Sequence, residues 1–239
     1  GEVRHEFAKS LQFERSHDSR VMVKTSQVNG DGLGVEVYVS GNLVKFFQGH
    51  NLFGTDDIAG LWVAFLYRLA DVLGVEVTPH LGKAWADGLI RLTRIDLTRM
   101  YSMGSRAAVR SALRSLEARA TSRQGRAVKK GGTVYFQKNS RRHAMKFYCK
   151  ADELEKKGHQ LPPALAELPA LVSWPNDLLR AELTLRRMEL QKLGLGLVAN
   201  WADTDLEQVF DDYAGRLKMS DNLVLSGPVV AELSPRLQL

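Results

Sequence analysis

The stretch RRHAMKFYCKADELE, Arg141 to Glu155, sets Tyr148 between Lys146 and Lys150. Strand side chains alternate faces. Read as a strand, the run puts Lys146, Tyr148 and Lys150 on one face and Met145, Phe147 and Cys149 on the other. A core tyrosine is not normally flanked by ammonium groups on its own face, because burying them is costly. Tyr148 is therefore expected to face a polar, cationic surface. A tyrosine hydroxyl made more acidic by nearby cations can attack phosphorus and form a phosphotyrosine.

Two further runs split the same way. Ile95 and Leu97 oppose Arg94, Asp96 and Thr98, while Ala181, Leu183 and Leu185 oppose Arg180, Glu182, Thr184 and Arg186. If the three strands share a sheet, one face is core and the other gathers Tyr148, two carboxylates and several cations. Carboxylate oxygens suit a hard divalent ion, Mg²⁺ or Mn²⁺, which would polarise a phosphoryl oxygen while Arg or Lys offsets its charge. The competing reading makes Asp96 and Glu182 members of surface cross-strand ion pairs. Spacing alone leaves both open.

The elements around these runs are mixed. Up to His50 the pattern is strand-like, with VMVKT and GVEVYVSGNLVKFF read as strands and SGN as a tight turn. A core helix follows, with Thr55 as its cap, Gly74 as its stop and a stripe of Ile58, Leu61, Trp62, Phe65, Leu66 and Leu69. Next come a strand over 89–101 and a helix from Ser105 to Ala120, on which Arg106, Arg110 and Arg114 form a basic ridge. The loop TSRQGRAVKKGG is expected to be mobile. GTVYFQ and HAMKFYCK read as a hairpin around KNSR, followed by a short helix and a Pro-bearing linker. LLRAELTLRR is the last clear strand, running into helical MELQKLG, with a further helix starting at Asp203. Without a regular strand–helix alternation, this is an α+β fold with a largely antiparallel sheet and helices packed on one face. The expected division is a catalytic domain over 1–200 and a C-terminal helical extension over 201–239.

Bulk properties narrow the function. The 239 residues are 44% hydrophobic, enough for a sizeable core, and contain no repeat at a fixed period. No apolar run approaches the roughly 20 residues needed to span a bilayer, so no membrane partner is expected. The single cysteine, Cys149, excludes an internal disulfide framework, suits a reducing cytoplasm, and sits on the apolar face, away from thiol chemistry. From Arg106 to Lys146 there are twelve Lys or Arg and one acid, Glu117, a block of +11 in a chain of net +6, so the remainder carries −5. Such a block suits a polyanion, above all nucleic acid; the plainer reading is a solvated basic face. A start at Gly1 rather than Met points to a tag remnant or an N-terminal truncation.

Four blocks carry a resemblance. KFFQGHNLFGTDDI, LTRIDLT, TVYFQKNSRRHAMKFYCKADELE and LLRAELTLRRMELQKLGL resemble, in order and spacing, the replication initiators of filamentous bacteriophages, the gene II protein and its relatives. More distantly they are similar to plasmid rolling-circle initiators of the Rep_trans type. The likeness runs roughly from Gly34 to Leu195 and implies a rolling-circle-initiator-like nuclease fold. Such proteins nick one origin strand, hold its 5′-phosphate on a tyrosine, and later rejoin the displaced strand. By motif, Tyr148 would be the nucleophile with Lys150 beside it. Asp96 and Glu182 would bind metal, with Glu153, Glu155 and His50 as weaker candidates.

Phosphate contacts would come from Arg94, Lys146, Lys150 and Arg186, and the wider DNA surface from Arg106, Arg110, Arg114, Arg123, Arg126, Lys129, Lys130, Arg141 and Arg142. The His-apolar-His metal pair of better-known rolling-circle nucleases is missing, since the six histidines stand apart, so an acid-rich site is implied. The chain also ends soon after the last block, as a shorter relative or a piece of one would. DNA at a replication origin, the host replication machinery and the bacterial host cytoplasm complete the expectation. The alternatives are a non-cleaving replication regulator on the same fold and a water-using metal nuclease.

Overall fold

The computed structural model describes residues 8–11, 21–28, 34–156 and 159–219. The chain divides into two compact units, Gly1–Ile90 and Arg91–Leu239. This division falls inside the 1–200 stretch read above as one domain.

In the first unit, β1 (Ala8–Leu11), β2 (Val21–Val28) and β3 (Gly34–Ser40) form an antiparallel sheet in that order. Helices α1 (Leu43–Gln48), α2 (Ile58–Leu73) and α3 (Pro79–Ala86) follow. Val21 and Val23 point inward from β2 and meet Leu43, Phe46, Phe65 and Leu69 in the core, with Phe46 and Phe65 edge to face. Two expectations need correction. LVKFF is a helix, not a strand: Asn42 Oδ1 accepts from the Lys45 amide at 2.9 Å, Gly49 ends the helix in the left-handed region, and Leu43 and Phe46 fall on one face. The cap of α2 is Asp57, which accepts from the Gly60 amide at 2.7 Å, while Thr55 accepts from the Asp57 amide.

The second unit begins with β4 (Arg94–Ser102) and α4 (Arg106–Arg119), then β5 (Ala120–Ser122), β6 (Gly125–Arg126), β7 (Val128–Lys130), β8 (Thr133–Phe136) and β9 (His143–Cys149). Short helices α5 (Lys150–Leu154), α6 (Pro163–Ala166) and α7 (Pro169–Ser173) lead to β10 (Leu178–Arg186). After it come α8 (Arg187–Leu193), α9 (Leu206–Ala214) and β11 (Lys218–Met219). Five strands form one antiparallel sheet in the order β4-β10-β9-β8-β7, and a second sheet runs β11-β5-β6.

Leu97, Ala181, Leu183, Met145, Phe147, Val134 and Phe136 make the apolar face of the larger sheet. Helix α9 covers that face through Phe210 against Arg99 and Tyr213 against His143, and α4 lies over β8 and β9. The helix expected from Asp203 is therefore part of the second unit; residues 220–239 of the expected extension lie outside the described residues. The basic loop expected to be mobile is in fact built into both sheets as β5, β6 and β7. Gly125, at φ +105°, lets the β5–β6 hairpin turn tightly. The Pro-bearing linker folds into α6 and α7, each with a proline in its first turn, where the missing N–H costs nothing.

Candidate active site on the polar sheet face

The register decides what shares the other face. Tyr148 on β9 lies opposite Arg180 on β10 and Thr133 on β8. Glu182 lies opposite Lys146 on one side and Thr98 on the other, and Thr184 lies opposite Asp96. Paired residues share a face, so Tyr148, Lys146, Arg180, Glu182, Thr184, Thr98, Asp96, Arg94 and Arg186 stand together.

At the centre the Tyr148 hydroxyl donates to Glu182 Oε1. Arg180 Nε donates to the same oxygen at 2.8 Å, and Lys146 Nζ holds the other, Oε2, at 2.6 Å. Arg180 also reaches Thr98 Oγ1 at 3.3 Å, and the Lys146 ammonium lies 5.4 Å from the Tyr148 ring centre. Tyr148 is only 7% exposed, and Arg180 and Glu182 are equally buried. Burial alone would raise the Glu182 carboxyl, but Arg180 and Lys146 overcome it and hold the group below its ordinary value. Tyr148 moves the opposite way from the expectation of an acidified phenol. Burial, and next the Glu182 charge, push its pKa well up despite Arg180. The hydroxyl is held by an acceptor, not ionised by cations.

Lys150 departs from the strand. The strand ends at Cys149, and Lys150 opens α5, fully buried and bonded to Glu153. It still lies within the field of Arg180 and Glu182, and burial lowers its pKa. Glu153 is in turn engaged by His159 at 3.2 Å. Asp96 is exposed and bidentate with Arg94, at 3.1 and 2.8 Å.

The acid-rich metal site tests poorly on these contacts. Asp96 and Glu182 are diagonal neighbours on adjacent strands, both already held by cations, and among the described residues no group of three or more His, Cys, Asp or Glu converges on a metal position. Glu153 is bound to Lys150, and Glu155 to Arg106. His50 belongs to the first unit, where its Nδ1 accepts from the Leu52 amide at 3.3 Å and its ring meets Phe53. The donor set as arranged does not fit a resident divalent ion.

The wider set of expected DNA contacts divides in two. Arg106 is bonded to Asp152 and Glu155, Arg110 to Asp152, Lys129 to Glu117, and Arg142 to the buried Glu189. Arg186 donates to the Lys138 and Ser140 carbonyls in the β8–β9 turn. Arg114, Arg123, Arg126, Lys130 and Arg141 are exposed and, among the described residues, have no acidic partner. Sequence reasoning left Arg180 without a role; its place two residues before Glu182 was the signal, but its reach to Glu182 and Tyr148 needed the cross-strand register. Tyr135, the tyrosine on β8, sits half-buried opposite Lys146 under Lys138, and Cys149 is buried with its thiol pKa pushed up.

Residues 1–204 match the family of phage replication-associated proteins of the gene II type, in their N-terminal region. Over 241 aligned residues the chain is 36% identical to the replication-associated gene II protein of Enterobacteria phage I2-2, taking in 100% of this chain and 70% of that protein. No solved structure matches. No helix among the described residues is long and apolar enough to cross a membrane. With a family match over residues 1–204 and a relative aligned along the whole of this chain, the chain belongs to the filamentous-phage replication initiator family, that of the gene II replication-associated protein.

Proposed function

We propose that the chain initiates rolling-circle replication in the bacterial host by nicking and rejoining one DNA strand through a covalent bond to Tyr148. The observation that carries this reading is the Tyr148–Glu182 hydrogen bond set among Arg180 and Lys146. A nucleophile bonded to a base, with the base oriented by further groups, is the arrangement that covalent catalysis needs.

The cations link binding to activation. A phosphodiester arriving over the sheet competes with Glu182 for Arg180 and Lys146. As these turn to the phosphate oxygens, they offset charge building at phosphorus. Glu182 loses the charges that depress its pKa and becomes a stronger base towards the Tyr148 proton. Tyr148 Oη then bonds to phosphorus as its proton passes to Glu182, the bond from phosphorus to the 3′-oxygen breaks, and that oxygen takes a proton from water to leave as a 3′-hydroxyl. The 5′-phosphate stays on the tyrosine. Rejoining is the reverse, with a 3′-hydroxyl attacking phosphorus and Tyr148 recovering its proton from Glu182. Lys150 acts as a positioning residue, balancing charge from behind through Glu153.

No step is assigned to Mg²⁺ or Mn²⁺, since before DNA arrives Glu182 and Asp96 are both held by cations. The test incubates the protein with labelled single strands tiled across the replicon's origin, with divalent ion or chelator, and resolves products under denaturing conditions. A protein–DNA adduct that Tyr148→Phe abolishes supports the reading. Cleavage that survives Tyr148→Phe without adduct favours the water-using nuclease, and binding without cleavage favours the regulator.

A further inference from the structure

The sheet β11-β5-β6 stands apart from the candidate active site and is held on several sides. Strand β5 continues directly from α4, β11 pairs with its free edge, and Thr121 Oγ1 reaches the Lys218 carbonyl at 3.4 Å. Ser122 closes the hairpin, its hydroxyl donating to the Gly125 carbonyl at 3.2 Å and accepting from the Gln124 amide at 3.3 Å. Lys129, just beyond, is tied back to Glu117 of α4 at 2.7 Å.

What this small sheet presents is basic. Thr121 pairs with Arg126 on one side and Lys218 on the other, so Lys218, Thr121 and Arg126 form one row across three strands. Strands lie ~4.8 Å apart, which sets the two cations about 10 Å apart at the backbone. Arg123 and Gln124 form the exposed tip, and Lys130 follows on β7. Among the described residues Arg123, Arg126, Lys130 and Lys218 have no acidic partner, and no acid occurs between Glu117 and Asp152.

Resting on the DNA-processing reading above, we infer that this hairpin sheet grips the sugar-phosphate backbone of duplex DNA beside the strand being cut. Unpaired cations fixed on a strand framework suit phosphates at set spacing better than a mobile acidic peptide. A two-stranded ribbon also enters a major groove ~12 Å wide, where Arg and Gln are the side chains that bond guanine and adenine in pairs. The sheet face and the hairpin then divide the work, one for the scissile strand and one for the flanking duplex.

The test compares binding of a fluorescein-labelled duplex of arbitrary sequence with that of one of its strands, by anisotropy over a salt series. The Arg123→Ala/Arg126→Ala/Lys218→Ala variant should lose about 2.7 from the duplex log–log salt slope, ~0.9 for each phosphate contact. Its slope on the single strand should stay that of the parent. Arg123→Lys/Arg126→Lys, with Lys218 intact, should restore the duplex slope. Arg187→Ala, at an exposed α8 arginine with no acidic partner among the described residues, controls for the loss of one positive charge and should leave it nearly unchanged. A parental duplex slope in the triple variant, equal losses on duplex and single strand, or an equal loss per charge in Arg187→Ala would each overturn the inference. Circular dichroism melting checks that the variant folds. Binding is read without cleavage, so a parent that forms no tyrosine adduct would sink the nicking proposal and leave this comparison intact.

Discussion

The polar face of the five-stranded sheet and the small β11-β5-β6 sheet are both rich in arginine and lysine, but they hold them differently. On the larger sheet Arg180 and Lys146, and just past its strand β9 Lys150, are buried or half-buried, each bonded to a carboxylate. On the smaller one Arg123, Arg126 and Lys218 are exposed without an acidic partner among the described residues. The ridge on α4 joins the two regimes, with Arg106 and Arg110 neutralised by Asp152 and Glu155 and Arg114 without an acidic partner among the described residues. A buried, paired cation is part of a charge network whose removal strands its partner. An exposed, free one is available to a polyanion. Sequence charge counts treat these as equal, and the fold does not.

Substitutions of one residue type in the two regions test that contrast. Arg180→Ala leaves Glu182 buried beside a raised tyrosine, so urea unfolding should show a loss of about 3–5 kcal/mol. Glu182→Ala, which takes from the buried Arg180 and from Lys146 the carboxylate they share, should lose a similar amount. Arg106→Ala breaks a part-exposed network and should cost about 1 kcal/mol by the same measurement. Arg126→Ala should change stability by less than about 0.5 kcal/mol. Equal costs at Arg180 and Arg126 would erase the distinction.

Occupancy by cations gives a second handle. Lys146→Met frees Glu182 Oε2 and removes a neighbouring positive charge. Calorimetric titration should then show tighter Mn²⁺ binding than the parent, by about tenfold for ~1.4 kcal/mol. Unchanged or weaker binding would mean that Lys146 does not guard that oxygen.

Acid should weaken the second unit in two stages. Glu182, Glu153 and Glu189 have carboxyls held below the ordinary 4.5, so their contribution is present above that value and is lost as pH falls through the depressed values. His143 is also lowered, mainly by burial, between Glu189, Arg142, Arg186 and Arg216. The unfolded chain protonates it first, so stability begins to fall below about 6.5. The unfolding midpoint should therefore decline gently below neutrality and steeply below 4.5. His143→Gln should flatten the first limb alone.

Period-two alternation made much of the site legible, because it depends only on strand geometry. It put Tyr148 with Lys146, and Glu182 with Arg180, on polar faces and Cys149 on an apolar one. It failed where a strand stopped, since nothing in YCKADEL marks Cys149 as the last extended residue and Lys150 as the first helical one. It also misjudged LVKFF, a short apolar run that periodicity cannot divide between strand and helix. Pairings such as Arg106 with Asp152, 46 residues apart, needed the tertiary fold. So did the direction of the Tyr148 shift, because flanking lysines are visible in sequence and burial against Glu182 is not.

The central claim is that Tyr148 carries the phosphate, and the most direct measurement is the mass of that residue after reaction. The protein would be incubated with the cleavable origin strand, the DNA trimmed by nuclease, and the digested protein analysed by mass spectrometry. The account predicts a nucleotide attached through phosphate to the peptide bearing Tyr148, and its loss in Tyr148→Phe. A nucleotide on Tyr135 or any other residue, or cleaved DNA with every peptide unmodified, would contradict it.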